Sequence, residues 1–250
     1  MMWWDRLQYS WRSETGLVRS HNEDAVTARP DLGLVVVADG VGGSNSGDVA
    51  SRLAVEVISD HFQRQTPQRV DPDEARVFVE AAVEEANAAI WEWSQRHEAC
   101  AGMCTTVVAG FVGRNWLAYA HVGDSRLYVL RDGRLNQLSR DHSFIQNAVD
   151  RGFFRSLDEA RECGVKANVL TRALGSSTPV ICSSDVVEIY PGDLFLFCTD
   201  GLTGMIPDIR LQQMLTGGVG QDLEALANGL VQHACECGGS DNITLVLLRA

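Results

Sequence analysis

Two strand-like runs in this 250-residue chain end in the same dipeptide. Val35-Val36-Val37-Ala38 leads into Asp39-Gly40, and Leu194-Phe195-Leu196-Phe197-Cys198-Thr199 leads into Asp200-Gly201. A third acid, Asp241, stands in Ser240-Asp241-Asn242, just before the apolar run Ile243 to Leu248. In an antiparallel sheet the end of one strand lies beside the start of its neighbour, so the pattern predicts that Asp39, Asp200 and Asp241 gather on a single sheet edge. Asp-Gly alone is an ordinary turn; three acids at strand ends demand more. Two carboxylates about 4 Å apart repel by roughly 4 kcal/mol at an effective dielectric near 20, so such a cluster needs a cation to persist. With no His or Cys at these turns the suited ion is a hard one, magnesium or manganese. Glycine after the Asp leaves its carbonyl open to an ion.

The remaining pattern predicts what surrounds that edge. Further short strands read at Thr105 to Val112, Trp116 to Val122, Leu127 to Leu130 and Val186 to Tyr190. Gly123-Asp124-Ser125 and Asp132-Gly133 read as hairpin turns. Apolar residues at helical spacing predict a helix from Ser46 to Arg64, with Ser44-Asn45-Ser46 as its cap, and a second started by Asp71-Pro72-Asp73-Glu74. Helices return from Asp208 to Cys237. Strands in runs and helices in blocks indicate an α+β class with helices covering sheets. The polar stretch from Asp141 to Lys166 reads as a mobile excursion over one edge. No repeat or linker divides the chain, which predicts one domain over residues 1–250.

Composition narrows the partners. Asp plus Glu number 33 against 21 Lys plus Arg, a net charge of −12. Without a basic stripe, nucleic acid and anionic membrane are disfavoured partners. No apolar run approaches the roughly 20 residues of a membrane span, and no signal-peptide core develops, so a soluble cytoplasmic chain is expected. Seven cysteines without a C-x-x-C pair argue for reduced core residues rather than disulfides or a zinc knuckle.

Smaller signals point to phosphate. Arg19-Ser20-His21-Asn22-Glu23-Asp24 places a guanidinium close to two acids, suited to holding a phosphoryl oxygen beside a metal. Gly42-Gly43-Ser44-Asn45-Ser46-Gly47 resembles a phosphate-cradling loop only weakly, since neither nucleotide-binding glycine pattern is present. Taken in order, RSHNED (19–24), VADGVGGSNSGDVAS (37–51), GMCTT (102–106), HVGDSRLY (121–128), DHS (141–143), LTRALG (170–175), PGDLFLFCTDGL (191–202) and SDNIT (240–244) closely resemble the motifs of metal-dependent protein Ser/Thr phosphatases of the protein phosphatase 2C type, in their short bacterial form. Eight motifs in order, spread over nearly the whole chain, make the resemblance specific.

The resemblance implies a four-layer α-β-β-α sandwich, two antiparallel sheets flanked by helices, with a binuclear metal centre at one edge. Carried over by motif, Asp39 bridges two Mn2+ or Mg2+ ions, Glu23 and the Gly40 carbonyl serve one, and Asp200 and Asp241 serve the other. Asp24 holds a bound water, Asp124 shares a third, weaker ion with Asp200, and Arg19 grips the substrate phosphate. The implied chemistry is direct hydrolysis of phosphoserine and phosphothreonine in proteins by a water shared between ions, with no Cys or Ser nucleophile. Cys198 is accordingly read as strand packing and His121 as a buried strand residue. Partners implied are phosphorylated proteins and a cognate Ser/Thr kinase, in type VI secretion control as the narrowest guess, with the enzyme a monomer. Two positions depart from the pattern: Val41 stands where some members carry a general-acid His, and Cys104 where glycine is frequent. Residues 143–166 correspond to a flap that influences substrate choice. The rival readings are a phosphopeptide-binding pseudophosphatase adaptor, which predicts missing acids, and a metal-dependent phosphodiesterase or nuclease, which the −12 charge disfavours.

Overall fold

A computed structural model describes residues 7–41, 46–67, 70–166 and 169–250. Its strands pair antiparallel throughout and form two sheets. In one, the order is β1 (Gln8–Glu14), β11 (Ile243–Arg249), β10 (Leu194–Cys198), β7 (Arg126–Arg131) and β8 (Arg134–Gln137). In the other it is β2 (Asp24–Arg29), β3 (Leu34–Val41), β5 (Val107–Val112), β6 (Trp116–Val122) and β9 (Ser183–Glu188), with β4 (Cys104–Thr105) paired to the end of β3.

Alternation along each strand sorts side chains into three apolar layers. Val35, Val37, Val108, Leu117, Leu127, Phe195, Phe197 and Val246 meet between the sheets. Leu34, Val36 and Ala38 face the other way and pack with Ala109, Ala118 and Ala120 beneath α1 (Gly47–Gln65) and α2 (Pro72–Arg96). Leu194, Leu196, Ile243, Leu245 and Leu247 lie beneath α5 (Asp200–Thr203), α6 (Asp208–Gly217) and α7 (Leu223–Glu236). Both faces of the central strands are covered, which is why they read as unbroken apolar runs rather than alternating ones. The arrangement is the four-layer α-β-β-α sandwich.

Local expectations fared unevenly. The Asp71 cap forms a complete capping box: Glu74 N–H donates to Asp71 Oδ1 at 2.9 Å and Asp71 N–H to Glu74 Oε2 at 3.2 Å. At α1, Ser44 and Asn45 lie outside the described residues, and Ser46 does not cap by its side chain, because its hydroxyl donates to the Ala99 carbonyl at 2.9 Å. Asp132-Gly133 is the expected two-residue hairpin, with Arg131 opposite Arg134. Gly123-Asp124-Ser125 is not a hairpin: β6 lies in one sheet and β7 in the other, so the turn carries the chain across the gap between them. The run 105–112 is broken at Thr106, and the strand expected at 186–190 sits earlier, at 183–188. The excursion over 141–166 contains α3 (Phe144–Asp150) and α4 (Leu157–Glu162), capped by Ser143 and Ser156. Among the described residues no helix is long and apolar enough to cross a membrane.

Candidate metal centre

Strand register assembles the acids. β2 and β3 place Asp24 directly opposite Asp39, and the Gly40 amide donates to the Glu23 carbonyl at 3.1 Å, drawing Glu23 to the same end. In the other sheet, β10 and β11 run antiparallel so that Asp200, just past one strand, meets Asp241, just before the other. The approach is close: a Cβ on Gly201 would stand 1.9 Å from the Asn242 carbonyl oxygen and 3.4 Å from Asp241 Cβ. Asp124 arrives on the turn that crosses between sheets. The acids therefore do not share one sheet edge, as the antiparallel argument predicted. They come from both sheets and line the mouth between them, because the two sheets pack face to face and end together.

The mouth is electrostatically unbalanced. Asp24, Asp39, Asp124 and Asp200 are half-buried, enclosed by protein except toward the mouth. Burial first, then the Asp200 and Asp241 charges, pushes Asp24 up to about 7, against hydrogen bonds from Thr244 and Thr199 that act the other way. Burial, Asp200 and Asp141 push Asp124 up to about 7. Asp39 is raised well above the usual carboxylate range by burial and then by Asp24 and Asp200, and Asp200 is raised by burial. Asp39 and Asp200 each raise the cost of charging the site, so the pair favours positive charge nearby.

The donor set fits a hard divalent ion. The acids at the mouth offer carboxylate oxygens, and buried Asp24 Oδ1 has no hydrogen-bond partner. A Cβ on Gly47 would fall 2.9 Å from both Glu23 Oε2 and the Gly40 carbonyl oxygen, so these two donors face a space kept open by the missing side chain. Among the described residues no three His, Cys, Asp or Glu side chains stand close enough together to clasp an ion.

Side chains that the sequence reading passed over hold this lining in place. Thr105 Oγ1 and the Thr106 amide both donate to the Asp39 carbonyl, at 2.7 and 2.9 Å, and the Asp39 amide donates to Thr106 Oγ1 at 3.1 Å. Thr199 Oγ1 donates to Asp24 Oδ2 at 3.0 Å. Asn242 accepts the Glu23 amide at 2.9 Å and donates to the carbonyls of Thr15 and His21, both at 2.9 Å, stitching the Arg19 loop to β11. His142 clasps the crossing turn twice: its amide donates to the Gly123 carbonyl at 2.9 Å and its Nδ1 accepts the Gly123 amide at 3.2 Å. Arg126, half-buried, and Asp141, buried, pair through Nε and Nη2 at 2.6 to 3.1 Å just beyond the turn. Every one of these residues lies inside a quoted motif, which was the only available signal; their partners are remote in sequence.

Arg19 stands at the rim, about half exposed, and its Nη2 donates to Asp241 Oδ2 at 2.8 Å rather than to the nearby Asp24. His121 is buried, as expected. Cys198 is fully buried and its thiol is pushed up by that burial, which suits strand packing and not nucleophilic attack. The two departures from the motif pattern are cross-strand partners: Val41 pairs with Cys104, whose Sγ donates to the Val41 carbonyl at 3.2 Å. The glycine-rich cradle reading spans 42–47, of which 42–45 lie outside the described residues.

Acids from both sheets line the opening between them, and the site is that of a metal-dependent hydrolase. The chain belongs to the protein phosphatase 2C family, whose model matches residues 18–217. It is 33% identical over 246 residues to the serine/threonine phosphatase stp of Listeria monocytogenes, covering 97% of this chain and 96% of that protein. Its structure is similar to that of the catalytic domain of serine/threonine protein phosphatase PstP in complex with two manganese ions (TM-score 0.84, 32% identity, 97% of each chain). It is similar also to PppA, described as a key regulatory component of type VI secretion in Pseudomonas aeruginosa (TM-score 0.81, 31% identity, 98% of this chain and 97% of that one).

Proposed function

We propose that this chain is a protein serine/threonine phosphatase that hydrolyses phosphoserine and phosphothreonine directly. The carrying observation is the convergence of Glu23, Asp24, Asp39, Asp124, Asp200 and Asp241 on one mouth with Arg19 at its rim. Asp39 would be shared between two Mn2+ or Mg2+ ions, with Glu23 and the Gly40 carbonyl holding one and Asp200 and Asp241 the other. Asp24 would hold a bound water, and Asp124 with Asp200 would hold a third, weaker ion. When bound, the ions supply a water acidic enough to attack phosphorus at neutral pH and offset the charge growing on the phosphoryl oxygens. Arg19, with a single carboxylate partner and half its surface free, swings from Asp241 to the phosphate oxygens and sets the ester in line for attack. Val41 has no titratable proton, so the departing alkoxide takes its proton from water at the mouth or from another group. The manganese ions of PstP support the choice of cation.

The physiological reading is narrower. The catalytic domain spans residues 1–250, acts as a cytoplasmic monomer with residues 143–166 as its flap, and opposes a Ser/Thr kinase. Type VI secretion control is its pathway on the strength of the likeness to PppA. A pseudophosphatase adaptor is disfavoured because the full acid set is present, and a nuclease by the −12 charge.

Purified protein with manganese releases phosphate from a phosphothreonine peptide and from an aryl phosphate, and chelator abolishes both. Folded, manganese-loaded protein that releases none from a panel of phosphopeptides overturns the reading.

A further inference from the structure

The segment 143–166 departs from the rest of the chain in charge. It carries four basic and four acidic residues, whereas the remaining 226 residues hold the entire net charge of −12. Three of the four acids are already engaged, and the fourth, Glu162, is exposed at the far end of α4. Asp150 accepts from Arg140 Nε at 2.9 Å and from Gln146 Nε2 at 2.7 Å, Asp158 pairs with Arg161 at 2.9 Å, and Glu159 accepts the Arg155 backbone amide at 2.6 Å. The guanidinium groups of Arg151 and Arg155 are left over: both residues are exposed, and among the described residues no carboxylate lies within 4 Å of either. Between them Phe153 is 71% exposed, so the sequence Arg151-Gly152-Phe153-Phe154-Arg155 presents two unneutralised cations around an uncovered aromatic ring.

The position of this turn matters as much as its charge. α3 and α4 form a helical hairpin rooted beside the mouth: Ser143 bridges to Leu170, the Phe144 amide donates to the Val169 carbonyl at 2.8 Å, and the Thr171 amide donates to the His142 carbonyl at 2.8 Å. His142 is the residue that clasps Gly123, next to Asp124. Seven helical residues at 1.5 Å each set the turn 151–155 about 10 Å from that root, and an extended peptide covers about 10 Å in three residues.

We infer that the Arg151–Arg155 turn recognises an acidic segment of the phosphoprotein substrate, a few residues from the phosphorylated side chain; this rests on the phosphatase reading above. Charge complementarity carries it. An acidic peptide is repelled by a surface of this net charge and meets unpaired cations on the flap, while Phe153 offers an apolar face for the peptide's aliphatic atoms. The inferred substrate class is therefore phosphoproteins with Glu or Asp flanking the phosphorylation site.

The test uses phosphothreonine peptides in which the residues two to five positions away, on one side or the other, are Ala, Glu or Lys. For the wild-type protein with manganese, Glu on one side raises kcat/KM over the Ala peptide about five- to tenfold, through KM, as expected for two exposed charge pairs, and 0.5 M salt erases the gain. In R151A/R155A the Glu-to-Ala ratio falls to about one, and in R151E/R155E the Lys peptide becomes the better substrate. Glu peptides no better than Ala peptides on either side, or a ratio retained in R151A/R155A, overturn the inference. The same ratios read as peptide Kd by fluorescence anisotropy decide it even if no peptide or aryl phosphate is hydrolysed, an outcome that sinks the phosphatase reading alone. If instead the turn holds the acidic surface of a second copy, the two arginine variants shift the sedimentation coefficient and leave the peptide ratios unchanged, which also overturns it.

Discussion

β10 has an acid at each end, Asp193 buried and Asp200 half-buried, and what separates them most is the donors around them. Asp193, before the strand, accepts from Arg131 Nε and Nη2 at 2.9 and 2.7 Å and from the Tyr190 amide at 2.8 Å, and the Arg131 guanidinium lies 4.5 Å from the centre of the Tyr190 ring. Asp200, two residues past the strand, is faced by Asp39, Asp124 and Asp241, and the nearest cations, Arg19 and Arg126, are each committed to another carboxylate. A buried acid whose lone pairs are filled is a structural fastening. One that meets other acids draws positive charge toward it, and of the two ends of the strand the second has the perturbed electrostatics typical of a functional site.

Substitution separates the two ends. Asp39→Asn removes the proposed bridging oxygen and lowers the rate of phosphate release more than about a thousandfold, a loss of at least ~4 kcal/mol in transition-state stabilisation. In chelator the same variant melts no lower than the parent, since it removes one charge from a cluster of like charges; a lower Tm there would make the acids structural. Manganese at about a hundred times its Kd stabilises the parent by ~2.7 kcal/mol, read as a rise in Tm of about 5–10 °C, and leaves Asp39→Asn unmoved. At the opposite end Asp193→Ala strands the Tyr190 amide and half of the Arg131 guanidinium and costs about 2–3 kcal/mol in urea unfolding. It keeps both the manganese shift and kcat/KM within about twofold of the parent. A large loss of activity at constant Tm would mean that the two ends are coupled through β10.

The sequence was more legible at the acid end than elsewhere. Asp39, Asp200 and Asp241 stand out because an apolar strand that stops at an acid is locally visible, and the α+β class follows from the same runs. The pairing of the sheets and the place of Glu23, Gly40 and Asp124 came from the order of the motifs, not from any one of them. Three features were hidden for physical reasons. β1 is a polar edge strand paired only to β11, so it lacks the apolar signal of its neighbours. Gly123-Asp124-Ser125 reads alike whether the next strand joins the same sheet or the facing one. Arg19 finds Asp241 across 222 residues, a separation no local spacing encodes.

The smallest effect tests whether bases buried behind the mouth follow the same accounting. His121 and His142 stack 4.6 Å apart at 16° beneath the crossing turn. His121 Nε2 accepts the Arg140 amide at 3.4 Å, and its Nδ1 is buried without a partner. Asp141 favours its charged form, but burial and the nearby Arg172 oppose it, and His121 is pushed down to about 4. The folded chain thus refuses a proton that the unfolded chain accepts near 6.5. Stability from this group is complete above that value, is lost as the pH falls, and levels off below about 4, where both states carry the proton. Between pH 7 and pH 5 the loss amounts to about 1–2 kcal/mol. His121→Phe keeps a flat ring in the stack and has nothing to titrate. In chelator, where the carboxylates contribute alike to both proteins, its urea midpoint falls less than the parent's over that interval. Equal falls would mean that water reaches Nδ1 and that the imidazole behind Asp124 is as well satisfied as the carboxylate at the far end of β10.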